Sequence, residues 1–349
     1  MPEEPLTERE HAILEAVIRT YVETAEPAGS RVVSRRFRLG ISPATVRNTM
    51  SDLEEKGYLY HPHTSAGRVP TDLAYRLYVD SLMRRHPVSE QERSAIRRQL
   101  ESGGEAAVEH LLRRAAQVLG LLTQELGVAI APRLDQATLE RLDLVSVHDA
   151  KVLLVLTLRG AGVRTIYVDV PAAIPTQTLA SVGRILNERL AGLPLREIRA
   201  TLPDRLRDSA PPETPGAAEL LNVFVQGADE LFVGAPPPPE QDVHLGRASV
   251  LAEQPEFSSG ERLRGLIELT ERRDLLKDVL ARRGESGLQV TIGVEHGDPA
   301  LSGFTVVTSE YRSGGLKGVI GVIGPTRMPY DRVIALVEST SNLISEFLG

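Results

Sequence analysis

Over the first 86 residues, apolar positions recur every three or four places, the spacing of amphipathic helices, and the breaks between them are marked by capping residues. Thr7 and Glu10 form a T-x-x-E capping box, and Ile13, Leu14, Val17, Ile18 and Tyr21 carry the stripe of a first helix, ended by Pro27 and Gly29. Ser30 caps a short second helix in which Val33 and Phe37 turn inward and Arg31, Arg35, Arg36 and Arg38 stay outside. Gly40 leads into Ser42, whose hydroxyl suits an N-cap, and Pro43 suits the first helical position, where no N–H is needed. In the helix predicted over 42–56, Val46, Met50 and Leu53 share one stripe, and Gly57 is placed to end it in a left-handed conformation. Residues 58–61 are strand-like, 62–67 turn-like and 68–70 a returning strand, so a β-hairpin wing follows the helix. Thr71 caps a fourth helix with Leu73, Ala74, Leu77, Tyr78 and Leu82 on one side, and Pro87 closes the unit.

Beyond it, Ser89 and Glu92 open another capped helix that breaks at Ser102-Gly103-Gly104 and resumes over 105–126. Strands are predicted at 142–147, 152–158 and 163–170. The second of them, VLLVLTL, is apolar at alternate and intervening positions, which predicts a central strand covered on both faces. Helices are expected over 179–190, 217–232 and 262–282, with proline-rich spacers at Pro211-Pro212 and at Pro236 to Pro239. Strands return at 288–294, 303–311 and 318–323 before a final helix over 330–348. Strands, then helices, then strands predict an α+β body carrying an insertion.

Two helices joined by a short glycine-containing turn form a helix-turn-helix, whose second helix enters the major groove. The residues left off its apolar stripe, Thr45, Arg47, Asn48 and Ser51, lack carboxylates, and Arg and Asn make bidentate contacts with guanine and adenine edges. Thr45, Arg47 and Asn48 are therefore the expected base readers. Ser42 and Arg68 are expected to set position on phosphate, with Arg68 at the wing's base reaching phosphate or the minor groove. His63 and Thr64, at the wing tip, complete the expected contact set. His61 and His63 lack a third ligand at metal-site spacing, so no metal is expected.

Composition changes this picture in one respect. The net charge of −7 argues against a chain that coats nucleic acid along its length. Residues 28–85, however, hold ten Lys or Arg against five Asp or Glu, and nine of the ten are Arg, the side chain suited to phosphate and guanine. The chain has no Cys, which removes thiolate metal sites and Cys nucleophiles. An acidic amino terminus and the lack of a long apolar run predict a cytoplasmic chain with no membrane span. The glycines of GGLKGVIGVIGPTR do not match dinucleotide or P-loop spacing and predict tight turns and close strand packing, so no cofactor is expected. Glu295, His296 and Asp298 form a short polar loop with no nucleophile beside it, so no enzyme is expected.

The stretch SPATVRNTMSDLEEKGYLYHPHTSAGRVPTDLAYRLYVD closely resembles the HrcA family of heat-inducible transcription repressors. EPAGSRVVS upstream and GVIGVIGPTRMPYDRVIALVE near the carboxyl end extend the resemblance, with a weakly matched middle. Thr49 departs from it, standing where an acidic residue is expected. The resemblance implies a winged helix-turn-helix over 1–86 and a GAF-like domain in two parts, 87–174 and 287–349, interrupted by a dimerising insert at 175–286. It further implies binding as a homodimer to double-stranded DNA at the CIRCE inverted repeat upstream of chaperone operons, repression supported by a GroEL-type chaperonin, and relief by heat. The alternative is a regulator that senses a small molecule through the GAF-like domain.

Overall fold

A computed structural model describes residues 5–38, 40–63, 67–84, 87–101, 108–132, 136–148, 151–159, 162–211, 213–233, 243–281, 287–313 and 316–348. The expected break at Ser102-Gly103-Gly104, Pro212, the spacer at Pro236 to Pro239, and Thr64 lie outside these residues.

The reading head follows its capping signals. Helix α1 spans Glu8–Thr24, with the Thr7/Glu10 box closed in both directions, and α2 spans Ser30–Phe37. Helix α3 spans Pro43–Glu55, with Ser42 as its N-cap. The wing pairs β1 (Leu59–Tyr60) with β2 (Val69–Pro70). Helix α4, Asp72–Leu77, is capped by Thr71 and runs on into a π-helical turn over Tyr78–Leu82. Ile13, Leu14, Val17 and Ile18 of α1 meet Val33, Val46, Met50 and Leu53 in one dry core.

The body is a three-layer α+β unit. Its five antiparallel strands run in the order β7 (Val243–Leu245), β3 (Leu126–Ile130), β10 (Leu316–Pro325), β9 (Phe304–Ser313), β8 (Leu288–Ile292). One face packs on α5 (Glu90–Glu101), α6 (Val108–Thr123) and the last helix, α14 (Tyr330–Leu348), and shares its core with the reading head. The other face meets α11 (Ser249–Ala252), α12 (Gly260–Glu271) and α13 (Arg273–Ala281). Strand β10 carries the glycine cluster and uses it for close packing: a Cβ at Gly318 would fall 2.2 Å from the Tyr311 ring, and one at Gly321 2.1 Å from the Val307 carbonyl.

The insert is differently bounded from the expected one. Strands β4 (Thr138–His148), β5 (Lys151–Arg159) and β6 (Gly162–Asp169) pair among themselves and make no ladder with the body sheet. They share a core with α7 (Thr176–Leu190), α8 (Leu195–Leu206), α9 (Ala217–Gln226) and α10 (Ala228–Val233). The expected boundary at 174/175 therefore cuts through one hydrophobic core, and residues 243–281, expected in the insert, belong to the body through β7 and α11–α13. Asn187 pins α7 to β4, accepting from the Leu142 N–H at 2.8 Å and donating to the Leu142 carbonyl at 2.6 Å.

Four smaller expectations are also corrected. The helix expected to run to 126 stops at Thr123, Gln124 turns the chain with a positive φ of 61°, and β3 begins at Leu126. Helix α8, which is not among the expected elements, runs through Pro203, a residue that ordinarily interrupts a helix. The single helices expected at 217–232 and 262–282 are each two, split at Gly227 and at Arg272. Strand β5 is central, as expected, but covered on one side: Val152, Leu154, Leu156 and Leu158 are buried, whereas Leu153 and Val155 are half-exposed.

Candidate nucleic-acid interface

Helix α3 is fixed from its first turn. The Ser42 Oγ accepts from the Thr45 N–H at 3.1 Å and lies 3.0 Å from the Thr45 hydroxyl, so both hydroxyls are engaged at the cap. Val46 and Leu53 are fully buried and Met50 nearly so, which orients the rest of the helix. Ala44, Arg47 and Asn48 are exposed, while Thr45 and Ser51 are half-buried. Exposed Asp52 and Glu55 follow, so the outward face is free of carboxylate only in its N-terminal half. That is the half a helix-turn-helix presents to base edges. Thr49 faces the core, and its hydroxyl donates to the Thr45 carbonyl at 3.2 Å. A carboxylate placed there would be desolvated and beside a carbonyl.

Beside α3, Arg31, Arg35 and Arg38 are exposed on or just after α2, and among the described residues neither they nor Arg47 has an ion pair. Arg36 is spent differently: it pairs with Glu23 and lies over the Phe37 ring at 5.8 Å. Arg31, Arg35 and Arg38 recur at i, i+4 and i+7 and so form a positive strip along one side of α2, with Arg47 exposed on the neighbouring α3.

Arg68 does not reach outward as expected. It is buried, with its Nη2 2.8 Å from Glu54 Oε2 and donating to the Ser51 Oγ at 3.3 Å. Glu54 also holds the His61 Nδ1 at 2.8 Å. Glu54 thus ties both strands of the wing to the end of α3, and Arg68 acts as a strut. Its backbone is tied as well, exchanging hydrogen bonds with Ala28 at 2.8 and 3.0 Å, a single antiparallel bridge between the wing and the α1–α2 connection. Gly67 permits this approach, since a Cβ there would lie 2.4 Å from the Ala28 carbonyl carbon. His63 is exposed on the wing. Ser51, expected to project, is half-buried and engaged by Arg68.

A second lock joins α1 to α3. The Lys56 Nζ donates to Glu10 at 2.7 Å. This charge-assisted bond, reinforced by two from Thr7 and opposed by burial, pulls the Glu10 carboxyl down to about 2. Sequence spacing showed the Thr7/Glu10 box but not Lys56, 46 residues away. Glu54 was likewise missed, because its partners lie across the hairpin and no local spacing marks them.

The capped α3 seated on α1 and α2, with the braced hairpin after it, is the architecture of a winged helix-turn-helix, here joined to an α+β body. The comparisons narrow this. Residues 109–334 match the family model described as HrcA protein C terminal domain. Proteins named heat-inducible transcription repressor HrcA are 39% identical in Chlorobium phaeobacteroides (strain BS1), with 99% of each chain covered, and 36% identical in Geobacter sulfurreducens, with 98% of each covered. The chain belongs to the HrcA family of heat-inducible transcription repressors, which are regulators and not enzymes. A crystal structure described as that of a hypothetical protein shares the fold, with a TM-score of 0.64 at 24% identity and 99% of both chains covered. No helix of the described residues is long and apolar enough to cross a membrane.

Proposed function

We propose that this chain represses chaperone operons from the cytoplasm by binding the CIRCE inverted repeat in double-stranded DNA as a homodimer. The observation that carries the reading is the N-terminal half of α3, where Arg47 and Asn48 stand exposed without carboxylate neighbours beside the strip of Arg31, Arg35 and Arg38. Arg47 and Asn48 read base edges, Ser42 and Thr45 lie close to the backbone at the helix start, and the arginine strip and His63 contact phosphate. Ser51 and Arg68 serve through the wing lock; Thr64 would extend the tip.

The homodimer draws support from the insert. The face of its sheet opposite α7–α10 is open and carries exposed apolar side chains, with Val145, Val163 and Tyr167 exposed at 48%, 65% and 65%. In register, Leu153 lies between Val145 and Tyr167, an apolar row across all three strands, with Val155 next to it on β5 between Asp143 and Thr165. A second copy of the same face covers it with two-fold symmetry, and a two-fold protein matches an inverted repeat. A GroEL-type chaperonin supports the folded dimer in this reading, and heat relieves repression by lowering the fraction of competent dimer. Recovery of operator binding after heat stress that is equal with and without chaperonin would count against that last step.

The test is a fluorescence anisotropy titration at fixed salt with the inverted repeat and a scrambled duplex. The wild type prefers the repeat, and Arg47→Ala loses about 1 to 3 kcal/mol of specific binding. Equal affinity for both duplexes, or an unchanged Arg47→Ala, refutes the reading.

A further inference from the structure

The reading head is joined to the body by two arginine clamps that point in opposite directions. From the head, Arg76 on α4 donates through Nε and Nη2 to both oxygens of Glu295, at 2.7 and 2.6 Å, and through Nη2 to the Val290 carbonyl at 2.6 Å. Glu295 stands in the 3-10 turn Gly293–His296 that follows β8, the edge strand of the body sheet. Asp72, one turn before Arg76, accepts from the Val294 N–H at 3.0 Å. Gly293 makes that approach possible, because it has a φ of +51° and a Cβ there would come within 1.9 Å of the Asp72 carboxylate. From the body, Arg327 donates to the Val22 carbonyl near the end of α1 at 2.6 Å while its other Nη holds Glu256 at 2.8 Å. The Arg327 and Glu256 side chains are only 14% and 15% exposed. Between the two units, the buried rings of Tyr75 and Tyr330 lie 5.6 Å apart.

Apolar contact is non-directional and tolerates sliding, whereas a bidentate guanidinium–carboxylate fork fixes an angle. The Arg76 fork fixes that angle at α4, and the bond from Arg327, itself held by Glu256 within the body, ties the head at a second point near the end of α1. The clamp also leads to the wing: Thr71, which caps α4, donates its hydroxyl toward the Gly57 and Tyr58 carbonyls at 2.8 and 3.1 Å, at the end of α3 and the start of β1. None of the clamp residues lies on the exposed edge formed by α2 and the start of α3.

We propose that Arg76 and Arg327 are positioning residues that set the bearing of the reading head on the body, and with it the half-site spacing that a dimer accepts. This rests on the dimeric reading of the inverted repeat given above. If the body and insert make the two-fold contact, the separation of the two α3 helices depends on the head-to-body angle alone. Loosening the clamp leaves each α3 intact and blurs the distance between them.

The experiment uses the full-length protein as wild type, Arg76→Glu, Glu295→Arg and the double charge swap R76E/E295R. Each is titrated against the inverted repeat at its natural spacing, repeats with the spacer lengthened or shortened, and a single half-site. The single variants lose about tenfold in discrimination between spacers, keep their single-half-site affinity, and regain discrimination in the swap. Unchanged spacer discrimination, or a parallel fall in half-site affinity, overturns the proposal. Because the chain has no Cys, spin labels at Arg35→Cys and Glu253→Cys report the head-to-body distance without DNA. The distribution broadens in Arg76→Glu and narrows again in the swap; equal widths overturn the proposal. A wild type without preference for any inverted repeat sinks the dimeric reading instead, and the label distances still decide the clamp.

Discussion

Arg68→Ala separates a strut from a phosphate contact. The guanidinium is 11% exposed and bonded to Glu54 and Ser51, and Glu54, at 32% exposure, keeps His61 when Arg68 is removed. Breaking a fully buried pair by removing one partner costs about 3 to 5 kcal/mol, and solvent access to Glu54 reduces this to roughly 1 to 3 kcal/mol of wing stability. Operator affinity then falls by a factor that does not depend on salt. Were Arg68 a phosphate contact, its loss would lower the slope of log K against log salt by about 0.9 per subunit, or about 1.8 for a dimer. Between 50 and 200 mM salt that slope change amounts to roughly twelvefold in affinity ratio. Anisotropy titrations at four salt concentrations, with Arg35→Ala as the phosphate-contact control, resolve such a difference. A slope for Arg68→Ala that falls with that of Arg35→Ala refutes the strut.

Three other perturbations follow from the geometry. Charges at the open sheet face, as in Leu153→Glu with Val155→Glu, convert dimer to monomer in light scattering; a dimer that persists moves the interface elsewhere. Glu125 is buried beside Gln254, and burial pushes its carboxyl well above the ordinary range, so the folded state holds a proton that the unfolded state releases above about pH 4.5. Stability therefore falls as pH rises from there, and Glu125→Gln raises the melting temperature at neutral pH and flattens that decline. Glu10 has the opposite sign: its carboxyl is held down to about 2, so its contribution is complete above roughly pH 4.5 and is lost as pH falls toward 2. Glu10→Gln costs on the order of 1 to 2 kcal/mol at neutral pH and removes that acid loss, which melting curves across pH detect.

What the sequence made legible is what local chemistry determines. The starts of α1, α3, α4 and α5 coincide with capping residues at Thr7, Ser42, Thr71 and Ser89, because a cap and its N–H partners lie within three residues of each other. Strand β3 was hidden because both its faces are apolar: Leu126, Val128 and Ile130 face one core, while Gly127 and Ala129 lie against α6, so no alternation of polarity shows. At Gly127 a Cβ would fall 1.8 Å from the Ala116 carbonyl, and that closeness is a tertiary fact. The insert boundary failed for the same reason. Strands β4–β6 were grouped with the strands of the body by type, but a strand's partners are set by the sheet it joins. Within the site, Arg47 and Asn48 were readable because exposure follows from helical phase, whereas the fate of Arg68 depended on Glu54 across the wing.

The arginines of the head resolve a tension in the composition. A chain of net charge −7 repels DNA at long range. Its head is rich in Arg, yet a residue count overstates the available charge, because a guanidinium with a carboxylate at contact distance offers little field to a phosphate. Arg36 and Arg68 are paired with Glu23 and Glu54 within the head, and Arg76 is paired with Glu295 of the body. Arg31, Arg35, Arg38 and Arg47 have no such partner among the described residues, and all four belong to the helix-turn-helix. These four place positive charge on the helix-turn-helix, which favours approach with α3 toward the groove. In the proposed reading, affinity draws on these exposed cations, and specificity draws on the paired ones through the rigidity with which they hold the wing and set the head on the body.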